Sequence, residues 1–150
     1  MVRTILPLIA SIVCLSSGFA GERIDAAAWR HLQTCDVPTL RDQAPSLIDR
    51  IVKVRFHCRS PKLRHRFPSW YDAALWQHDP KANNGFSAVR VLVQKQDVPA
   101  FETITSDFNS RSELTIYGRV EKDPDSYTTY LHVLGRKVTL DRAGNATVAW

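Results

Sequence analysis

Alternation of apolar and polar residues recurs in three stretches of this sequence and constrains its fold more than any other feature. The stretches are Ile51–Cys58, Phe86–Lys95 and Glu113–Glu121. Successive side chains of a β-strand point to opposite faces, so each stretch predicts a strand with one face toward a core and the other toward water. The residues expected inside, including two from a later segment, are Val52, Val54, Val89, Val91, Val93, Leu114, Ile116, Leu131 and Val133. The sequence therefore predicts an all-β domain.

Two further segments complete the predicted set of strands. Trp70–Gln77 is rich in aromatic residues and favours a strand, although Ser69 followed by Asp72 is also typical of a helix start. A helix over this segment, in an α+β domain, is the rival interpretation. Tyr127–Leu140 predicts a long last strand in which the apolar parity changes, and a bulge at Leu134–Arg136 would restore the register.

Helices are expected at two places. Asp25 precedes three alanines and predicts a capped helix running to Gln33. Between the second and third alternating stretches, Asp97–Phe108 has Pro99 in its first turn and apolar residues at helical spacing. The segment bracketed by Pro38 and Pro45 is expected to be irregular.

The order of these elements resembles the OB-fold, the oligonucleotide- and oligosaccharide-binding barrel. The residues that carry the resemblance are Leu114–Val120, Tyr130–Leu134 and the helix that Asp97–Pro99 opens, and Gly118 stands where that fold needs sharp strand curvature. The resemblance implies a five-stranded Greek-key barrel preceded by a short N-terminal helix. The predicted organisation is a signal peptide over 1–20, a helix and linker over 21–47, the barrel over 48–142 and a tail over 143–150.

The N-terminus has the pattern of a secretory signal peptide. Arg3 supplies the positive charge, Ile5–Leu15 forms the apolar region, and Gly18–Ala20 provides small residues for a cleavage site after Ala20. No later run is apolar over 18 residues, so no transmembrane segment is expected after cleavage. We therefore expect an exported protein, periplasmic or secreted.

Cleavage after Ala20 would remove Cys14 and leave two cysteines, Cys35 and Cys58. In an oxidising compartment a pair of cysteines is most simply a disulfide, and we predict one between them. The alternative is a metal site with the nearby His31 and His57, but adjacent residues of a strand point to opposite faces, which disfavours joint ligation by His57 and Cys58. No metal and no cofactor is expected.

The charge is unevenly distributed along the chain. The formal net charge is +5, residues 21–96 carry 13 basic and 7 acidic residues, and no acidic residue occurs between Arg50 and Tyr71. Aromatic residues follow this basic run, and basic residues beside aromatics suit a polyanion or a glycan. The candidate ligand-binding residues are Lys53, Arg55, Arg59, Lys62, Arg64, Arg66, Trp70, Trp76, Phe86 and Arg90. An ordinary solvated basic face is the competing interpretation.

The sequence favours a non-enzymatic binding module whose partner is nucleic acid, a glycan or an acidic envelope protein. A component of envelope assembly that uses the basic residues is the first alternative. A small nuclease is the second, with His57 and His132 as acid and base beside Lys53 or Arg119. The sequence contains no Gly-x-Ser-x-Gly elbow, phosphate loop, zinc motif or calcium loop.

Overall fold

The computed structural model describes residues 21–57, 63–67, 69–105, 113–123 and 128–150, and strands account for most of that backbone. The strands are β1 (Glu22–Ile24), β2 (Gln33–Asp36), β3 (Ile51–His57), β4 (Arg64–Phe67), β5 (Trp70–His78), β6 (Phe86–Gln94), β7 (Glu113–Lys122), β8 (Thr129–Gly135), β9 (Lys137–Leu140) and β10 (Ala146–Ala149). The helices are α1 (Ala26–Arg30), α2 (Val37–Gln43) and α3 (Val98–Thr105). The all-β class predicted from alternation is confirmed.

The predicted core is also confirmed. Eight of the nine side chains expected inside are buried, and Leu114 is partly buried and packed against the others. Phe101 of α3 and residues of α2 fill the same core. Trp70–Gln77 is a strand and not a helix, since it lies within β5 and pairs with β6 along its whole length. Alternation therefore identified correctly which face of each strand points inward.

Seven of the strands form one sheet in the order β2-β3-β7-β8-β6-β5-β4. All neighbours are antiparallel except β2–β3 and β6–β8, which are parallel. The predicted closed barrel of five strands is not seen, because β3 is paired with β2 on one side and β7 on the other. The strand that pairs with the free side of β5 is the short β4.

A second sheet contains three strands in the order β1-β10-β9. Its central strand is β10, so the segment 143–150, predicted to be a tail, contains a paired strand. Ala146 and Val148 of β10 are fully buried and form a second apolar cluster with Ile24 and with Tyr117 of β7. The small sheet thus covers part of the outer side of the large one.

The predicted long last strand is divided between the two sheets. A register shift opposite Tyr117 and Gly118 leaves Leu134 as an extra residue in β8, which is the bulge expected in this region. At Gly135 the backbone has φ 151°, and Arg136 N then donates a 2.9 Å hydrogen bond to Ala149 O. The chain therefore leaves β8 and pairs with β10, where a continuous strand was predicted.

The N-terminal segment is more regular than the predicted helix and linker. Asp25 caps α1 as expected, because its Oδ1 accepts 2.9 Å hydrogen bonds from the amides of Ala27 and Ala28. The helix ends at Arg30 and not at Gln33, because Gln33 begins β2 and pairs with Val52 in parallel. Pairing with an existing sheet edge supplies backbone hydrogen bonds that the short helix would otherwise provide.

The segment between the two prolines is helical, contrary to the prediction of an irregular connection. Asp36 accepts a 2.8 Å hydrogen bond from the amide of Thr39 and so caps α2, with Pro38 in the first turn where no amide donor is needed. A 3₁₀ turn, Ala44–Leu47, follows directly. The hydroxyl and amide bonds from Thr39 hold the pKa of Asp36 below its ordinary value.

The predicted disulfide between Cys35 and Cys58 is not supported. Cys35 has a free, buried thiol on β2, and Cys58 lies outside the described residues. Burial, followed by the charge of Asp36, raises the pKa of the Cys35 thiol.

In the part of the chain that the structure describes, no helix is long and apolar enough to cross a membrane.

Candidate ligand-binding face

The outer side of β5 and β6 carries an exposed tryptophan. Ala73 and Leu75 point into the core, so Asp72, Ala74 and Trp76 point outward. Trp76 is 42% exposed, and Ala88 of β6 lies directly opposite it. The small side chains of Ala74 and Ala88 leave the indole accessible. We call this surface, with Arg90 opposite Ala74, the β5–β6 face.

Arg90 lies on this face between two carboxylates. Its Nη2 donates a 2.9 Å hydrogen bond to Asp72 Oδ2, and its Nη1 is 3.7 Å from Asp123 Oδ2. Asp123 is buried, whereas Asp72 and Arg90 are partly exposed. The two acidic groups hold the guanidinium in place and compensate its charge, so this part of the face is not strongly positive.

A hydrogen-bonded group lies at the β8 side of the face. His132 Nδ1 is 3.0 Å from Glu121 Oε1, and the Tyr130 hydroxyl donates to Glu121 Oε2 at 2.8 Å. The Trp70 ring packs edge-on against His132 with ring centroids 4.8 Å apart. Glu121 thus orients two neighbouring side chains of β8, and Trp70 connects this group to the first residue of β5.

A small cavity of about 110 Å³ lies where β6 and β8 diverge. The two strands are paired only at Val91–Leu131 and Leu92–His132, and Ala88, Arg90, Thr129 and Tyr130 line the gap beyond. Sites that enclose a drug-sized molecule have volumes of about 300–1,000 Å³, so this cavity accommodates only a substituent. Leu40 and Arg41 of α2 also line it, whereas Trp76 does not.

The predicted ligand-binding residues divide into three groups. Arg64, Trp70, Trp76, Phe86 and Arg90 lie on the three neighbouring strands β4, β5 and β6. Lys53 and Arg55 lie on β3 beside β7, and Arg55 is 3.6 Å from Glu113. Arg59, Lys62 and the side chain of Arg66 lie outside the described residues.

Phe86 is engaged within its own hairpin, because His78 packs against it edge-on at 5.9 Å between ring centroids. Arg64 is exposed on β4, directly opposite Asp72. Its position extends the β5–β6 face by one strand.

Sequence reasoning missed the acidic residues of the site. Asp72 follows Trp70 by two residues and must share its face in a strand, so the alternation contained that signal. Asp123 and Glu121 come from β7 and the turn after it, about 30 residues from Arg90 in sequence, and only the tertiary structure places them there.

A buried polar network fixes the hairpin that carries the face. Ser87 Oγ donates to Asp79 Oδ2 at 2.5 Å, and Arg41 Nη1 of α2 donates to the same hydroxyl at 2.5 Å. The hydrogen bonds from the Ser87 hydroxyl and the Lys81 amide hold the pKa of Asp79 below its ordinary value. The network attaches α2 to the end of the β5–β6 hairpin.

Within the described ranges, no group of three His, Cys, Asp or Glu residues is placed to hold a metal ion.

No family model and no curated protein matches the sequence. Two of the solved structures to which the chain is similar illustrate the level of similarity. One is from Klebsiella pneumoniae subsp. pneumoniae MGH 78578, described as a "putative nucleic acid-binding lipoprotein", with a TM-score of 0.46 and 17% identity over 71% of this chain and 92% of that chain. The other is from Leishmania major Friedlin, described as a "putative aspartyl-tRNA synthetase", with a TM-score of 0.42 and 14% identity over 87% of this chain and 23% of that chain.

Proposed function

We propose that this protein is an exported, non-enzymatic binding module with an OB-like fold, and that its ligand is a glycan chain lying across the β5–β6 face. The strand order supports the fold. The five strands predicted for the barrel are neighbours in the order β5-β6-β8-β7-β3, and α3 connects the third to the fourth in sequence. In OB-folds the ligand crosses the second and third strands, which correspond to β5 and β6.

The exposed Trp76 is the observation that carries the proposal. A large indole that remains 42% exposed between two alanines contributes little to the core, and it offers a flat apolar surface to a ring. Trp70 begins the same strand six residues earlier, about 20 Å away at ~3.3 Å per residue. The face is therefore long enough for several ring units of a chain.

The charges of the face favour a neutral ligand rich in hydroxyl groups. Arg90 alternates with Asp72 and Asp123, so donors and acceptors lie side by side. A sugar hydroxyl uses both kinds of partner, whereas a phosphate chain is repelled by the carboxylates. An anionic polymer is the alternative, and the exposed Arg64 together with the acid-free run from Arg50 to Tyr71 favours it.

The test is binding of two fluorescent probes, a chitooligosaccharide and a single-stranded oligonucleotide, to the purified mature protein. We expect the glycan to bind and Trp76→Ala to weaken it about tenfold, since stacking on an aromatic ring contributes roughly 1–3 kcal/mol. Trp76→Phe should retain most of the affinity. Leu140→Ala is the matched control, because Leu140 is the other exposed large apolar side chain of the described residues and lies on β9, in the small sheet.

Salt dependence distinguishes the two ligand classes. Binding of the neutral glycan should change little with salt, whereas a single strand contacting Z phosphates loses affinity with a logarithmic slope of about −0.7Z. If only the oligonucleotide binds, and its affinity falls steeply with salt, the ligand is an anionic polymer and not a glycan. Binding of neither probe, or equal binding by Trp76→Ala and the unaltered protein, would overturn the proposed face.

A nuclease is the second candidate, because Glu121 orients His132 as a catalytic base is oriented. The experiment is incubation with RNA in chelator, comparing the unaltered protein with His132→Ala. We expect no cleavage by either. Cleavage that disappears in His132→Ala would contradict the non-enzymatic proposal.

A further inference from the structure

A second, larger cleft lies between the N-terminal segment and the edge of the seven-stranded sheet. Its volume is about 490 Å³, within the range of sites for small molecules. It is lined by β1 and α1 on one side and by β2, the start of β3 and Arg119 of β7 on the other. It belongs to neither the β5–β6 face nor the elements that carry that face.

The floor of the cleft is apolar and its wall is held by an ion pair. Ile24 is buried, and Leu32 and Ile51 are partly buried in the same apolar cluster. Arg119 donates a hydrogen bond to Glu22 Oε1, so these two charges satisfy each other. The apolar floor suits a hydrocarbon group. Because Arg119 and Glu22 are paired with each other, the other charged residues of the cleft determine which polar groups a ligand needs.

Two adjacent charged residues, Asp49 and Arg50, line this cleft, and backbone hydrogen bonds with β7 hold them in place. Asp49 has φ 65°, a conformation that Asp and Asn adopt more readily than other side chains. Its amide donates a 2.7 Å hydrogen bond to Val120 O, and the Val120 amide donates a 2.9 Å hydrogen bond to Arg50 O. Pairing with β7 therefore holds Asp49 and Arg50 in place while both side chains remain exposed.

The side chains of Asp49 and Arg50 form no hydrogen bond or ion pair with any other residue that the structure describes. Arg23, also in the lining, is paired with Asp141, and Asp25 caps α1, so Asp49 and Arg50 are the carboxylate and the guanidinium of the cleft that have no partner among the described residues. A ligand with a single charge would pair with one of these two groups, and its charge would then lie close to the second group, which has the same sign as the ligand. A zwitterion satisfies both.

We propose that this cleft binds a small zwitterion with an apolar body, of the class of the free apolar α-amino acids. The Asp49 carboxylate accepts hydrogen bonds from the ammonium group, and the Arg50 guanidinium forms two parallel hydrogen bonds to the carboxylate. The apolar side chain of the ligand lies on Ile24, Leu32 and Ile51. The proposal is independent of the ligand of the β5–β6 face.

The experiment follows the backbone amide resonances of Asp49, Arg50 and Gln33 while L-leucine, L-leucinamide or N-acetyl-L-leucine is added to the mature protein. Leucinamide lacks the carboxylate and N-acetyl-leucine lacks the ammonium group. We expect leucine to shift these resonances saturably and each analogue to bind about tenfold more weakly, since each lacks one of the two charged groups that form the proposed hydrogen bonds.

Two variants assign the two charges. Arg50→Gln should remove the preference for leucine over leucinamide, and Asp49→Asn should remove the preference over N-acetyl-leucine. Asn tolerates the positive φ of position 49, so the second variant keeps its fold. Arg136→Gln is the matched control, because Arg136 is exposed between β8 and β9 and does not line the cleft.

Three results would overturn the proposal. The first is the absence of shifts at the three amides with leucine, and the second is equal affinity for leucine and both analogues. The third is unchanged leucine binding by Ala28→Phe, which places a phenyl ring in the cleft from the exposed side of α1.

Discussion

Substitution of Gly135 by alanine tests how the chain passes from the large sheet to the small one. Gly135 has φ 151°, a conformation that residues with a side chain rarely adopt. A Cβ atom at this position would overlap Ala149 O and Ala149 C and would lie 3.0 Å from Ala149 Cα, all of them backbone atoms of β10. The strand must move away, because none of these contacts can be relieved by a side-chain rotation.

The expected loss has two parts. The backbone conformation costs about 1–3 kcal/mol for a residue other than glycine. Displacing β10 also weakens the 2.9 Å hydrogen bond from Arg136 N to Ala149 O, which contributes about 1 kcal/mol. We therefore expect Gly135→Ala to lower the free energy of unfolding by about 3 kcal/mol and the melting temperature by about 10 °C.

The assay is urea unfolding followed by circular dichroism, with Gly85→Ala as the matched control. Gly85 also has a positive φ, 73°, but no atom lies within 4 Å of the place that a Cβ would occupy, so alanine there should cost only about 1 kcal/mol. Gly85→Asn should recover part of that loss, and Gly135→Asn should recover none. Equal losses at the two positions would refute the argument that β10 crowds Gly135.

Three further predictions concern the core, the buried network and the thiol. Phe101→Ala should lower the free energy of unfolding by about 3–5 kcal/mol in the same urea assay, since Phe101 is fully buried; a loss below 1 kcal/mol would contradict its place in the core. The pKa of Asp79 is lower in the folded protein than in the unfolded chain, so ionised Asp79 stabilises the fold above the unfolded pKa, and this stabilisation is lost as the pH falls below about 4. Asp79→Asn should therefore flatten the fall of unfolding free energy at acid pH. An unchanged fall would contradict this. Cys35 should resist iodoacetamide in the folded protein and react in urea without reductant, as judged by intact mass; protection in urea until reductant is added would instead support the disulfide with Cys58.

The alternation of apolar and polar residues by itself determined the main strands and their inward faces. Val52, Val91 and Leu131 were assigned to the core from sequence and are fully buried. This works because side-chain direction in a strand has a period of two residues, a local property that does not depend on which strands pair.

Which strands are neighbours was decided only by the tertiary structure. The parallel pair β2–β3 and the small sheet around β10 join segments that are separated in sequence. The break between β8 and β9 divides a segment that is continuous in sequence. Pairing at a sheet edge depends on which backbone groups the rest of the fold leaves unpaired, and no local pattern records that.

The electrostatic character of the candidate face was decided in the same way. The sequence shows Arg90 as one of many basic residues, and its alternation predicts correctly that it points outward. Asp72 and Asp123 reach it from the next strand and from the end of β7, and they compensate its charge. Charge balance at a surface depends on distances across the sheet, and those distances exist only after the chain has folded.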